Sequence, residues 1–391
     1  MWHLDSTFGV CKLKYNFYAF GYSDASRVFH PVFYYCSSQR REEDLVWALE
    51  FAKRLFLEQY NFDFKPTVMS DADDAQYNAV QRVFGPNKIL MCFFHVMQWL
   101  YKMTKQLNLS REHIKIIFAN VYDLHYAKDL DSYNASLISI KNNWVTIGQT
   151  NAAFEQFRIK MLRQWIDNRR WFKWQAFRSV SGTATTNNPL EQNHGPLKRI
   201  LTLTGKTTIL NLIHGVENSM LNVLRGSNYN VNVISKVQER LRKRHKLLIR
   251  LNIQGGQRIF TTTRFNGLNS PFFTVRQVAT NHDLLLETEI INVVESKALT
   301  RLGEVNRGRI ELVGMPETGW VVDTSAKKCS CLIWIKDRTC VHLVEACIVG
   351  QVECPGIPMK RKTFRNPGQL GARGGPGRGQ ARGRGRGRGR G

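Results

Sequence analysis

The sequence predicts a mixed α/β fold, in which a β-meander and a β-α-β unit share one sheet, with a helical insertion and a small α+β module after it. Three observations carry that prediction. Apolar and aromatic runs of strand length fill residues 1–37, helical spacing takes over at residues 41–60, and a β-α-β order follows over residues 66–93.

Trp2 to Val10, Tyr15 to Tyr22 and Val28 to Cys36 read as three strands joined by short polar or Gly-containing links. Leu45, Leu49, Ala52 and Phe56 then recur at helical spacing behind an acidic opening that suits a helix N-terminus. Pro66 to Asp71 reads as a short strand ending in a carboxylate, Asp73 to Val83 as a helix and Ile89 to Phe93 as a strand. From Val96 to Val180 the pattern is helical and rich in Trp, Lys and Arg, which we read as an insertion. Ser181 to Asn188 is a loop, and Pro189, just inside the next helix, leads to Glu191. Further helices are expected over residues 207–224 and 231–249, while residues 256–323 are turn-rich and β-prone. Gly368 to Gly391 is Arg-Gly low complexity and cannot form a core, so it is expected to be disordered until it binds something.

With 391 residues, 43% of them apolar, the chain is long enough for about two domains and extensions. No run reaches the ~18 uncharged apolar residues of a membrane span, and the N-terminus lacks a signal peptide, so an intracellular protein without a membrane partner is expected. Eight cysteines fit that compartment better as metal ligands or buried thiols than as a disulfide framework. The net charge is +25. Residues 356–391 hold eleven Lys or Arg and no acid, which leaves +14 on residues 1–355. A core this basic points to a polyanion, in the first place nucleic acid.

Three carboxylates stand out by position: Asp5 on the first strand, Asp71 at the end of a later strand, and Glu191 near a helix start after the insertion. Two-metal phosphoryl chemistry needs such groups to converge from different elements on cations about 4 Å apart. On spacing alone, a solvated carboxylate or a helix cap explains each of the three as well.

The local words around them add information. His3-Leu-Asp-Ser-Thr-Phe8, Val68-Met-Ser-Asp71 with Ala75, Ala79 and Val80, Cys92-Phe-Phe-His95, and Thr186-Asn-Asn-Pro-Leu-Glu191-Gln-Asn-His-Gly-Pro-Leu-Lys198 follow one another in order. Together they resemble the catalytic domain of Mutator-like (MULE) transposases. The resemblance implies a ribonuclease H-like mixed sheet over residues 1–205 with its helical insertion at 96–180. It also implies Asp5, Asp71 and Glu191 as catalytic ligands of two Mg²⁺ or Mn²⁺ ions, cleavage of transposon-end DNA by water, and attack of the freed 3′ hydroxyl on target DNA. Asp73 and Asp74 compete for the second ligand position, but Asp71 directly follows the apolar strand. Cys92 and His95 either contact transposon-end DNA or the catalytic pocket, or are a buried thiol and a satisfied core imidazole.

Cys329-x-Cys331-x8-Cys340-x-His342 supplies three thiolates and an imidazole, the full ligand set of a closed tetrahedral Zn²⁺. With no open position, that zinc is expected to be structural. The spacing resembles the SWIM-type zinc finger, placed over residues 311–350, with Trp334 and Ile335 expected on a strand between the ligand pairs and Cys347 in the core. Between the two parts lie a helical basic segment over 206–255 and a β-prone linker over 256–310.

DNA contacts are expected from Lys198 and Arg199 beyond Glu191, and from a basic helix holding Lys236, Arg240, Arg242, Lys243 and Arg244. A solvated helix face is the competing explanation for both. The Arg-Gly tail over 356–391 suggests RNA as a second partner, Lys360-Arg-Lys362 suggests nuclear import, and the oligomeric state is left open, a homo-oligomer included. Two functions compete: an active transposase core, and a catalytically inactive DNA-binding or transcriptional regulator derived from one. Asp5 stands only five residues from the start, so a DNA-selecting domain is expected to be missing and activity to have suffered.

Overall fold

The computed structural model describes residues 1–7, 10–24, 27–190, 208–226, 239–280 and 295–354. Its first sheet has five strands: β1 (Trp2–Thr7), β2 (Asn16–Ser23), β3 (Phe29–Ser37), β4 (Val68–Ser70) and β5 (Ile89–Met91), in the order β3-β2-β1-β4-β5. The meander β1-β2-β3 is antiparallel, whereas β4 and β5 run parallel to β1. Beside Gly21 the β2–β3 register shifts, and a Cβ there would stand 2.2 Å from the His30 carbonyl oxygen, so glycine is what lets the strands close.

Helix α1 (Glu42–Tyr60) opens on Glu42, Glu43 and Asp44 and ends at Asn61, whose φ of 49° is left-handed. Helix α2 (Asp74–Phe84) is capped by Asp73, whose carboxylate accepts from the Gln76 N–H. Leu45 and Leu49 of α1 and Val80 and Val83 of α2 pack with Leu4, Phe20, Val68 and Ile89 on one sheet face. Because side chains alternate along a strand, burying Leu4 on that face turns His3 and Asp5 to the other.

The helical insertion comprises α3 (Phe93–Gln106), α4 (Arg111–His125), α5 (Leu130–Thr150) and α6 (Ala152–Met161), which runs on into a π-turn at Leu162–Ile166. Then come α7 (Ile209–Gly226) and α8 (Glu239–Leu251). Strands β6 (Ile253–Gln254) and β7 (Gln257–Arg258) form a small ribbon. A second, antiparallel sheet has the order β11-β10-β9-β8, from β8 (Phe260–Arg264), β9 (Phe272–Gln277), β10 (Trp320–Asp323) and β11 (Lys328–Cys329).

Two expectations are corrected. The β-prone reading of residues 256–310 holds for 257–277, but Glu295–Leu312 forms a helix, α9. There Val305 and Ile310 are buried, and Arg309 pairs with Asp123 of α4 at 2.8 Å. Trp334 and Ile335 lie not on a strand but on the short helix α10 (Leu332–Asp337), because Cys331 caps it by accepting from the Trp334 N–H. Helix α11 (Val341–Val349) follows and buries Cys347, as expected. One continuous apolar cluster joins Trp144, Phe154 and Trp174 of the insertion to Val305, Trp320, Val341 and Leu343. No described helix is long and apolar enough to cross a membrane.

Candidate functional site

Strands β1 and β4 run side by side with Trp2 opposite Val68 and His3 opposite Met69. Carried two residues further, the same offset would set Asp5 opposite Asp71, which immediately follows the carboxyl end of β4, although Asp5 is not among the ligand atoms grouped closely around Asp71. Ends of parallel strands are where open α/β sheets gather ligands. Asp5 is buried, and its Oδ1 accepts from the Ser6 N–H at 2.7 Å. The two competing acids are committed elsewhere. Asp73 caps α2 and pairs with Arg40, and Asp74 pairs with Arg170 at 2.5 Å.

Asp71 is surrounded by side chains from three other segments. Cys92 is the N-cap residue of α3 and fully buried; His95 follows on the first turn. The His95 Nδ1 lies 2.9 Å from the Asp71 Oδ1, an ion-pair distance without the alignment of a hydrogen bond. Burial disfavours the imidazolium, but Asp71 and the Cys92 thiol outweigh it and raise the His95 pKa to about 11. Burial pushes the Cys92 thiol up. Asp71, Cys92 and His95 bring their ligand atoms within 4.8 Å of one another.

The residue that ties this group together was not singled out from the sequence. The Asn187 Nδ2 donates to the Asp71 Oδ1 at 3.0 Å, its backbone N–H donates to the Cys92 Sγ at 3.2 Å, and its Oδ1 lies 3.0 Å from the His3 Nδ1. As an amide oxygen only accepts, His3 donates through Nδ1 and its Nε2 faces the Ser23 hydroxyl at 2.8 Å. Burial lowers the His3 pKa to about 4. The result is a buried relay of polar contacts, Ser23–His3–Asn187–Asp71. Its one sequence signal was the Asn-Asn-Pro word, which reads equally well as a helix start. Glu191, the third expected carboxylate, lies outside the described residues, as do Lys198, Arg199 and Lys236.

Residues 1–99 match the family model of the MULE transposase domain. The match takes in Asp5, Asp71, Cys92 and His95 and stops before the segment of Asn187 and Glu191. No curated protein matches the chain.

Beyond the stretch that matches the MULE transposase domain lies a second cluster. Cys329 at the end of β11, Cys331 and Cys340 as N-caps of α10 and α11, and His342 on the first turn of α11 converge with ligand atoms within 4.8 Å. All four are buried. The Sγ atoms of Cys331 and Cys340 accept from the N–H groups of Trp334 and Leu343 at 3.4 and 3.3 Å. Neither ring nitrogen of His342 has a hydrogen-bond partner among the described residues. Hydrogen bonds from the neighbouring thiols hold Cys329 far below the usual thiol range, while burial pushes Cys331 and Cys340 up. A buried set of three sulfurs and an unpartnered imidazole fits a tetrahedral dication, which would let all three thiols ionise.

The basic helix α8 is divided in its use. Arg244 pairs with Glu311 at 3.1 Å, Arg242 reaches Glu239 at 3.7 Å, and Arg240 lies near Arg307, whose charge, with burial, lowers its pKa to about 10. Lys243, Lys246 and Arg250 are exposed.

Proposed function

We propose that the chain is a Mutator-like DNA transposase core that cleaves and joins DNA in a divalent-metal-dependent reaction. The observation that carries this reading is the parallel pairing of β1 with β4, whose offset, continued, would bring Asp5 opposite Asp71, inside the stretch that matches the MULE transposase domain. The strand order β3-β2-β1-β4-β5 with its parallel β1-β4-β5 half supports a ribonuclease H-like assignment. Carboxylate oxygens from adjacent strands suit hard cations, so Asp5 and Asp71, with Glu191 as third ligand, would hold Mg²⁺ or Mn²⁺. Such ions supply activation of the attacking oxygen and charge stabilisation at the leaving one.

The chain's own groups contribute around them. Asn187 fixes the orientation of the Asp71 carboxylate, and His95, protonated at neutral pH, brings a positive charge to where a DNA phosphate would approach. The Cys329, Cys331, Cys340 and His342 cluster is read as a structural zinc of SWIM type, and a nuclear location is proposed with the DNA substrate. The competing reading is an inactive, DNA-binding derivative. What favours it is that the Asp71 Oδ1 is already approached by both Asn187 and His95. RNA binding through the tail would involve residues outside those described.

The test is nicking of transposon-end DNA by the purified, zinc-loaded chain with Mg²⁺ or Mn²⁺. Activity should be present and should fall by about 10³-fold or more in Asp5→Ala, Asp71→Ala and Glu191→Ala, since metal-ion catalysis is worth several kcal/mol. Tight DNA binding without any cutting would establish the regulatory reading instead.

A further inference from the structure

The relay at Asp71 does not end at Asn187. The segment that carries Asn187 is gripped by α10, the helix between the two halves of the zinc cluster. The last carbonyls of α10, which no helical N–H can reach, are taken up by this segment. The Ser181 hydroxyl donates to the Ile335 carbonyl, and the Gly182 N–H donates to the Lys336 carbonyl at 2.7 Å. Gly182 has a φ of +88°, and a Cβ there would stand 3.1 Å from the Arg338 side chain, so the two segments lie in close contact.

Lys336 closes the grip from inside. It is buried, and its Nζ donates to the Thr185 hydroxyl and to the His125 Nε2, the latter at 3.2 Å. That nitrogen is free to accept because the His125 Nδ1 donates to the Trp174 carbonyl at 2.8 Å. The Thr185 carbonyl in turn accepts from the Phe93 N–H at 3.2 Å, at the start of the helix that bears His95. Two residues on, Asn187 meets Asp71, Cys92 and His3. On the other side, α10 is held by Cys331 at its start and by Cys340 and His342 just past its end.

We infer that the zinc cluster is a brace for the Asp71 site, and that Lys336 and Asn187 are positioning residues through which the clamped α10 sets Asp71. A zinc module whose role is only to contact DNA or protein would have no need to bury a lysine against Thr185 and His125. The inference deepens the metal-dependent reading above, but the brace itself is a property of the fold and can be read without activity.

The experiment uses the full chain with zinc content measured, and follows hydrogen–deuterium exchange of peptides over residues 181–190, with peptides over residues 42–60 of α1 as control. Lys336→Met and the milder Ser181→Ala should keep their zinc yet speed exchange over 181–190 by about tenfold, the effect of losing one or two net hydrogen bonds. Stripping zinc from the wild type should do the same while the control peptides stay protected. Lys336→Met and Asn187→Ala should also weaken Mn²⁺ binding, read by titration, by about tenfold or more. Unchanged protection over 181–190 in zinc-loaded Lys336→Met and Ser181→Ala overturns the inference, as does unchanged Mn²⁺ affinity in both Lys336→Met and Asn187→Ala. If Lys336→Met does not fold, Ser181→Ala and the zinc-stripped wild type decide. A wild type that exchanges as expected but never nicks DNA would sink the transposase reading and leave the brace standing.

Discussion

Arg27, in the turn between β2 and β3, and Asp337, at the end of α10, are 310 residues apart in sequence and 2.6 Å apart in space. Arg307 of α9 reaches the other oxygen of the same carboxylate at 2.9 Å. Burial alone would raise the Asp337 pKa, but Arg27 and Arg307 outweigh it and hold the carboxyl well below the usual range. A carboxylate that serves two arginines from distant segments holds the first sheet to the cysteine-histidine module.

Removing that carboxylate takes from Arg27 and Arg307 a charge partner that they share in a poorly solvated place. Asp337→Ala should therefore destabilise the chain by about 3 kcal/mol or more, as for other broken buried pairs. Chemical denaturation of zinc-loaded protein measures it. A loss below about 1 kcal/mol would put the pair in the class of exposed ion pairs.

Acid should weaken the fold through His125. Burial, and after it the charge of Lys336, hold its pKa well below the ordinary 6.5. The unfolded chain then takes up a proton that the folded chain refuses, so this contribution is complete above pH 6.5 and is lost as the pH falls below it. Each unit of pH below that point costs up to about 1.4 kcal/mol. Urea unfolding of wild type and His125→Gln at pH 7.0 and 5.5 isolates it, since His3 and the thiols titrate alike in both proteins. Equal losses in the two proteins would clear His125 of the effect.

Zinc should be present at about one equivalent per chain and should be lost in Cys340→Ser, as a closed site needs all four ligands. Removal should also cost α10 and α11 their order, because Cys331 and Cys340 cap them. Elemental analysis with far-ultraviolet circular dichroism tests both parts. A Cys340→Ser chain that keeps its metal and its helix signal would contradict the assignment.

Exposed cations of α8 should behave differently from paired ones. Replacing Lys243, Lys246 and Arg250 together by Ala should flatten the plot of log K for DNA against log salt by about 0.9 for each phosphate that is no longer neutralised. Arg244→Ala should instead lower stability, because it removes the ion-pair partner of the buried Glu311 and leaves it the neutral Gln277 amide. A triple variant with an unchanged salt slope would move the DNA-binding surface off this helix.

Much of the first sheet is legible in the sequence because its signals are local. Asp71 is preferred to Asp73 and Asp74 because it stands nearest the apolar Val68-Met69 pair, with only Ser70 between, and the structure commits the other two to a cap and ion pairs. The cysteine-histidine cluster was legible for the same reason: four residues of metal-ligating chemistry within fourteen positions. Helix α9 was missed because Gly303, Gly308 and flanking Val residues mask its period. Helix α10, at six residues, is too short for strand and helix periods to be told apart. Asn187 and Lys336 had no signal at all as a connected pair. Their partners lie up to 211 residues away, and long-range contact leaves no spacing in one sequence.

The grip of Ile335 and Lys336 on Ser181 and Thr185, 154 and 151 residues earlier, also sets an order of events during synthesis. At bacterial to eukaryotic translation speeds, the Asn187 segment leaves the ribosome on the order of ten seconds before the helix that holds it. Throughout that interval the nascent first sheet has a complete meander and no brace. With the brace proposed above, setting of the Asp71 region would come late in synthesis, once the C-terminal cysteines emerge, and a newly made chain short of the metal would keep its sheet but leave its Asp71 region unset.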